Sequence, residues 1–447
     1  MPTYRIVTLG CKLNQADSSA LETRLRALGF DRAAGGADHR PGDRADLVVL
    51  NTCTVTARAD REARQIARRL RGDNPRAVLI ATGCYAERDP AGLRSVAGVD
   101  HVVPLREQIE TVPALAARAF GLLDHSSQAL DLGPFGATAG CDPAPGPGDR
   151  TRALLKVQEG CNLRCSYCII PSVRGASRSL PPADVLGRIG RLTDAGYREI
   201  VFTGVNTGDY GRDLDPPTRL DHLLARAIEI QGLGRLRLNS LEPRTVTADL
   251  VALLAGGGGR LAPHLQIPLQ SGSDPVLLRM RRPYRSSDYA RVVESLRLRI
   301  PGMALGADVI VGFPGETDGE FESTCRFIES SPLNYLHVFS YSARPGTPAA
   351  ALPAPVRPEV IRERSARLRC LAQDLSLRFR RSLVGGTRTA LTLNEVRPDG
   401  RLRALTDNFI DLGCDLEGRD AAAWMNRLVR VRIDEAIETG TRGVILD

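Results

Sequence analysis

The chain has 447 residues, 43% hydrophobic and 25% charged, an ordinary globular composition that excludes a wholly disordered or fibrous protein and allows roughly three domains. No apolar run approaches the roughly 18 residues of a membrane span, and the first residues lack the charged and apolar regions of a signal peptide, so a cytoplasmic protein away from membranes is expected. The formal charge of +8 suits a polyanionic partner, and ten cysteines without a secretion signal point to metal or redox chemistry rather than a disulfide scaffold.

Residues 1–123 alternate apolar strands (4–9, 46–50 and 77–81) with helical stretches such as 18–28 and 61–70, an order that predicts a parallel α/β sheet. Residues 124–150 are rich in Pro, Gly and small polar residues and read as a linker. Six strand candidates follow, at 153–158, 199–203, 235–239, 264–269, 304–311 and 335–341, separated by helical segments. Six successive βα units predict a partial (β/α)6 barrel, with chemistry at the C-terminal ends of its strands. Residues 357–382 form one long helix with eight Arg against three acids, completing a unit at 151–382. The period then changes: 390–396, 402–412, 428–434 and 443–447 read as strands of a small all-β barrel at 383–447.

Cys161, Cys165 and Cys168 stand as C-x3-C-x2-C directly after the first barrel strand. Thiolates are the natural ligands of iron–sulfur clusters. Three of them leave one iron of a four-iron cluster open to an outside ligand. A structural zinc knuckle competes, but it favours paired C-x2-C spacing and four ligands, and no fourth Cys or His lies within this loop. Cys11, Cys53 and Cys84 each follow one of the three N-terminal strands within a few residues. Strand C-termini of a parallel sheet open onto one crevice, so these three converge on a second metal site, unless they are simply buried thiols. Cys141, Cys325, Cys370 and Cys414 match no such pattern.

The C-x3-C-x2-C loop resembles that of the radical S-adenosylmethionine (SAM) superfamily. Together with TLGCKLNQ, NTCTVTARADREARQ, TGCYAE, YCIIPSVRGASRS, TGVNTGDYG and HLQIPLQSGSD, it makes nearly the whole chain similar to the methylthiotransferases. The resemblance implies two [4Fe-4S] clusters, on Cys161, Cys165 and Cys168 and on Cys11, Cys53 and Cys84. It implies SAM both as methyl donor and as the source of a 5′-deoxyadenosyl radical, and a TRAM-like RNA-binding barrel at the C-terminus. Thr203, Gly204 and Asn206, with Ser240, Glu242, Gln270, Gly312 and Gly315 after later strands, become candidate SAM contacts; ordinary loop or structural roles compete for each.

Three branches of that family differ in substrate: isopentenyladenosine in tRNA, threonylcarbamoyladenosine at position 37 of tRNA, or an aspartate of a ribosomal protein. TLGCKLNQ, YCIIPSVRGASRS and TGVNTGDYG resemble the threonylcarbamoyladenosine branch. Arg174, grouped with the barrel cysteines as catalytic, and Arg178 and Arg344 are candidates for the substrate's carboxylate or phosphates through bidentate pairs, with solvated arginine as the competing role. Phe409 is a candidate stacking group for RNA, a core aromatic being the alternative. The implied partners are the tRNA anticodon stem-loop and an electron donor such as flavodoxin or ferredoxin, and a monomer is expected. A non-catalytic iron–sulfur RNA-binding protein is the alternative of another class.

Overall fold

A computed structural model describes residues 1–33, 44–122 and 151–446. The linker expected at 124–150, Cys141 included, lies outside the described residues.

The N-terminal unit is a five-stranded all-parallel sheet in the order Asp31–Arg32, Thr3–Thr8, Leu47–Thr52, Val78–Gly83, His101–Val102. Its central strand, LVVLNT, is buried at every position, as a strand covered by helices on both faces must be. The helices Lys12–Ala27 and Ala57–Asp73 begin almost directly behind the strands they follow. The second is capped by Thr56, whose hydroxyl accepts from Ala59 N. The two outer strands, each of two residues, are too short to carry a periodic pattern and were not apparent from sequence.

The middle unit is a six-stranded parallel half-barrel. Arg152–Lys156, Glu199–Thr203 and Arg235–Leu238 form one sheet; His264–Gln266, Ala304–Val311 and Tyr335–Ser340 form the other. A Leu236–Leu261 bridge joins the two halves. One continuous apolar core, from Leu155 to Leu375, lies between strands and helices. The helix Pro358–Arg381 closes the unit, burying Leu368, Leu375 and Phe379 beneath an arginine-rich outer face.

The C-terminal unit is a closed five-stranded barrel, Thr387–Val396, Leu402–Thr406, Asp411–Asp415, Gly440–Ile445 and Leu428–Ile437 in spatial order. Here the expected strand at 402–412 is in fact two. Thr406 N bonds Ile410 O at 3.0 Å and Phe409 takes φ 69°, so the chain turns between them. Among the described residues no helix is long and apolar enough to cross a membrane.

Candidate active site

Parallel register sets the first three cysteines side by side. Thr8 pairs with Asn51 and Thr52 with Gly83, so the three strands end at one level, and Cys11, Cys53 and Cys84 follow them. Gly10, at φ 97°, lets the first loop lie against the second: a Cβ there would stand 2.6 Å from Cys53 Cβ. Asn14, fully buried in the first turn of its helix, ties the loops together. Its Nδ2 donates to Leu9 O at 2.8 Å and to Thr52 O at 2.9 Å. Its Oδ1 lies 3.8 Å from Cys11 Sγ and 3.7 Å from Cys84 Sγ. Burial pushes the Cys84 thiol up to about 12 and raises Cys53 as well. Bound iron would invert that preference, because a metal ligand must be thiolate.

The second trio lies on one loop behind the strand Gln158–Glu159. Burial pushes Cys161 up to about 11 and Cys168 to about 12. Cys165 has a cationic partner: Arg282 Nη1 donates to its sulfur at 3.1 Å. The same guanidinium pairs with Glu242 and donates to Tyr284 Oη at 3.1 Å, which fixes its direction.

The segments that carry the two trios pack together at the seam between the sheet and the half-barrel. Ile169, which caps the short helix Ile170–Arg174 behind Cys168, and Val173 within it pack against Cys84 and Leu105. Arg174, 3% exposed, ends that helix and crosses the seam. It donates to Glu159 Oε1 at 2.6 Å, Asn14 Oδ1 at 2.7 Å and Asp17 Oδ2 at 3.0 Å. Lys156 Nζ completes the buried network at 2.5 Å from Asp17 Oδ1. A second clamp joins Arg344 to Thr54 Oγ1 at 2.8 Å and Asp60 Oδ2 at 2.7 Å, directly behind Cys53.

Residues 155–328 match the radical SAM superfamily, and residues 3–104 match Uncharacterized protein family UPF0004. The threonylcarbamoyladenosine tRNA methylthiotransferase MtaB of Bacillus subtilis is 38% identical over 387 residues, spanning 85% of this chain and 82% of the relative. The chain belongs to the radical SAM methylthiotransferases. A tRNA-2-methylthio-N(6)-dimethylallyladenosine synthase of Clavibacter michiganensis is 35% identical, over 92% of this chain and 76% of the relative. Among solved structures, the radical SAM methyltransferase TsrM of Kitasatospora setae superposes with a TM-score of 0.54 at 16% identity, covering 78% of this chain and 76% of that one, a likeness of fold.

The cofactors of a radical SAM methylthiotransferase are SAM and [4Fe-4S] clusters, and the donor sets fit them. Among the described residues no three Cys, His, Asp or Glu side chains gather round a point where a single ion would sit. A multi-iron cluster takes its thiolates further apart, and each trio leaves one iron without a cysteine. For SAM, the half-barrel's active face offers Thr203 Oγ1 and Asn206 Oδ1, buried polar atoms without a partner among the described residues. Ser240 and Gln270 stand at the same face in left-handed backbone, φ 56° and 64°. Gly204 packs against Gln158 and Thr207, and Gly315, φ 75°, has open space where a Cβ would be.

Several candidates take other roles in this methylthiotransferase. Arg174 spends its guanidinium on Glu159, Asn14 and Asp17 across the seam, while Arg344, buried as well, is held through Nη2 by Thr54 and Asp60 and keeps its Nε without a partner among the described residues. Glu242 is held by Arg282. The space above Gly312 is filled by Ile361 of the long helix, not by a ligand. Arg178 is exposed at the loop edge, 3.7 Å from Glu159. Phe409 stacks on His264 with ring centroids 4.3 Å apart and lies 5.2 Å from the Arg237 guanidinium, a joint between the barrels rather than a free stacking platform. Sequence reasoning missed Asn14, Asp17, Glu159, Arg282 and the two lysines. Only the lysines carried a signal: they are two among sixty basic residues, and both stand at the seam.

Proposed function

We propose that the chain methylthiolates C2 of N6-threonylcarbamoyladenosine at position 37 of tRNA. The observation that carries this reading is that the segment behind Cys168 packs on Cys84 across one domain seam, in a chain 38% identical to a relative named for that substrate. When bound, SAM and the cluster on Cys161, Cys165 and Cys168 supply a radical that takes hydrogen from an unreactive carbon, and the cluster on Cys11, Cys53 and Cys84 supplies sulfur. The protein's own part is arrangement. Arg282 holds the Cys165 sulfur and Glu242 in one rigid group, Asn14 fixes the spacing of three strand-end loops, and Arg174 and Arg344 fasten those loops to the half-barrel. Thr203 and Asn206 are left with free polar atoms for SAM.

The substrate RNA is polyanionic, which agrees with the charge of +8. The anticodon stem-loop is the part that presents position 37 unpaired. The reading includes a cytoplasmic monomer reduced by flavodoxin or ferredoxin. Expression in a host lacking its own methylthiotransferases, followed by nucleoside mass spectrometry of its tRNA, tests it: methylthio-threonylcarbamoyladenosine is expected. The methylthio-isopentenyl nucleoside in its place would overturn the substrate and keep the chemistry.

A further inference from the structure

Fifty-eight arginines accompany two lysines, Lys12 and Lys156. Both lysines cross the seam, in opposite directions. Lys156 reaches from the half-barrel to Asp17, and Lys12 from the N-terminal helix to Asn239 Oδ1, at 3.2 Å, just past the third barrel strand. Their partners differ in charge. Lys156 is neutralised by Asp17 and Glu159. Lys12 meets a neutral amide and, 5.7 Å away, the face of Phe409; among the described residues it makes no ion pair.

The space around Lys12 is the polar lumen of the half-barrel. Arg152 and Arg237 lie within Coulombic reach of it, as do Glu199 and Asp308. Both carboxylates are already engaged. Glu199 is held by Arg235 and Arg237, and Asp308 by Gln266 and His337. Cations therefore exceed available anions. Two buried polar atoms of the same lumen, His264 Nδ1 and Gln266 Oε1, have no partner among the described residues. They sit two residues apart on one strand and so share a face, and His264 stacks on the ring that Lys12 covers.

We propose that Lys12 is a specificity-determining residue: it receives the carboxylate of the nucleoside's N6 substituent, while Gln266 and His264 bond the hydroxyl and urea groups. The inference rests on the threonylcarbamoyl reading above and names how that substituent is recognised. A compact ammonium with three donors can meet a carboxylate beside the neighbouring guanidinium groups of Arg152 and Arg237. An uncharged isopentenyl group would leave Lys12 desolvated without an anion, and this disfavours it.

The test uses full-length, cluster-loaded enzyme and three anticodon stem-loops, one with threonylcarbamoyladenosine, one with its carboxyl methyl ester and one with isopentenyladenosine. Wild type is expected to show a KM about 10- to 100-fold lower for the acid, the range of a charge-assisted hydrogen bond. Lys12→Gln, at wild-type iron content, should raise KM for the acid and use acid and ester alike; Lys12→Arg should restore part of the preference. Equal use of acid and ester by wild type overturns the proposal, and so does a Lys12→Gln enzyme that keeps the wild-type preference. If Lys12→Gln fails to load iron, the wild-type comparison alone decides. Wild-type activity on isopentenyl RNA only would overturn the substrate reading itself and take the Lys12 assignment with it, a result distinct from equal use of acid and ester.

Discussion

The two cysteine sites are built in opposite ways. Cys161, Cys165 and Cys168 come from one loop, and their spacing follows from the local chain. Cys11, Cys53 and Cys84 come from three strand ends whose meeting depends on strand register, on Asn14 and on two arginines reaching in from the neighbouring unit. The first site needs its loop; the second needs the whole seam. Substitutions at the seam should therefore damage the N-terminal site while the barrel site persists, and substitutions in the barrel loop should stop everything.

Cys168→Ala gives the largest expected effect: loss of SAM cleavage and of methylthio product together, read by chromatography of 5′-deoxyadenosine and by nucleoside analysis. Arg174→Gln comes next. It leaves Asp17 buried with Lys156, and Glu159 with Lys156 and the exposed Arg178, and breaking a buried ion pair on one side costs about 3–5 kcal/mol. Urea unfolding should show that loss, with iron lost first from the N-terminal site. Stability within about 1 kcal/mol of wild type would mean the network does not hold the seam.

Arg282→Gln sharpens the comparison on the barrel side. It removes the N–H···S bond to Cys165 and frees Glu242. SAM cleavage should slow about tenfold, with the N-terminal cluster's spectrum unchanged. The smallest effect concerns acid. Burial alone raises the Glu199 carboxyl, but Arg237, Arg235 and Arg152 outweigh it and bring the group down to about 2 from the ordinary 4.5. A folded pKa below the unfolded one stabilises above the unfolded value, and that stability fades as pH falls from about 4.5 towards 2. Wild type should lose unfolding free energy across that window more steeply than Glu199→Gln; equal slopes would remove Glu199 from the account.

Much of this was legible in the sequence, for reasons tied to range. The half-barrel strands announced themselves as apolar runs between helical segments, and the barrel trio as a short spacing. The N-terminal trio was legible only because parallel strands end at one edge. What sequence could not give was contact between distant segments. Arg174 and Arg344 follow the right strands and carry the right charge, yet Asp17 and Asp60, far away in sequence, consume them. The turn at Phe409 follows Thr406, Asp407 and Asn408, a polar interruption that separates two short strands. Lys12 was overlooked beside Cys11 because its setting, Asn239 and Phe409, comes from two other units.

The most direct test of the division of labour is a single reaction that counts both products. The enzyme would carry Cys11→Ala, Cys53→Ala and Cys84→Ala with the barrel cysteines intact, supplied with SAM, reductant and tRNA. The account predicts 5′-deoxyadenosine without methylthio-nucleoside. Methylthiolated tRNA from that enzyme would contradict it, because sulfur would then reach the nucleoside without the N-terminal site.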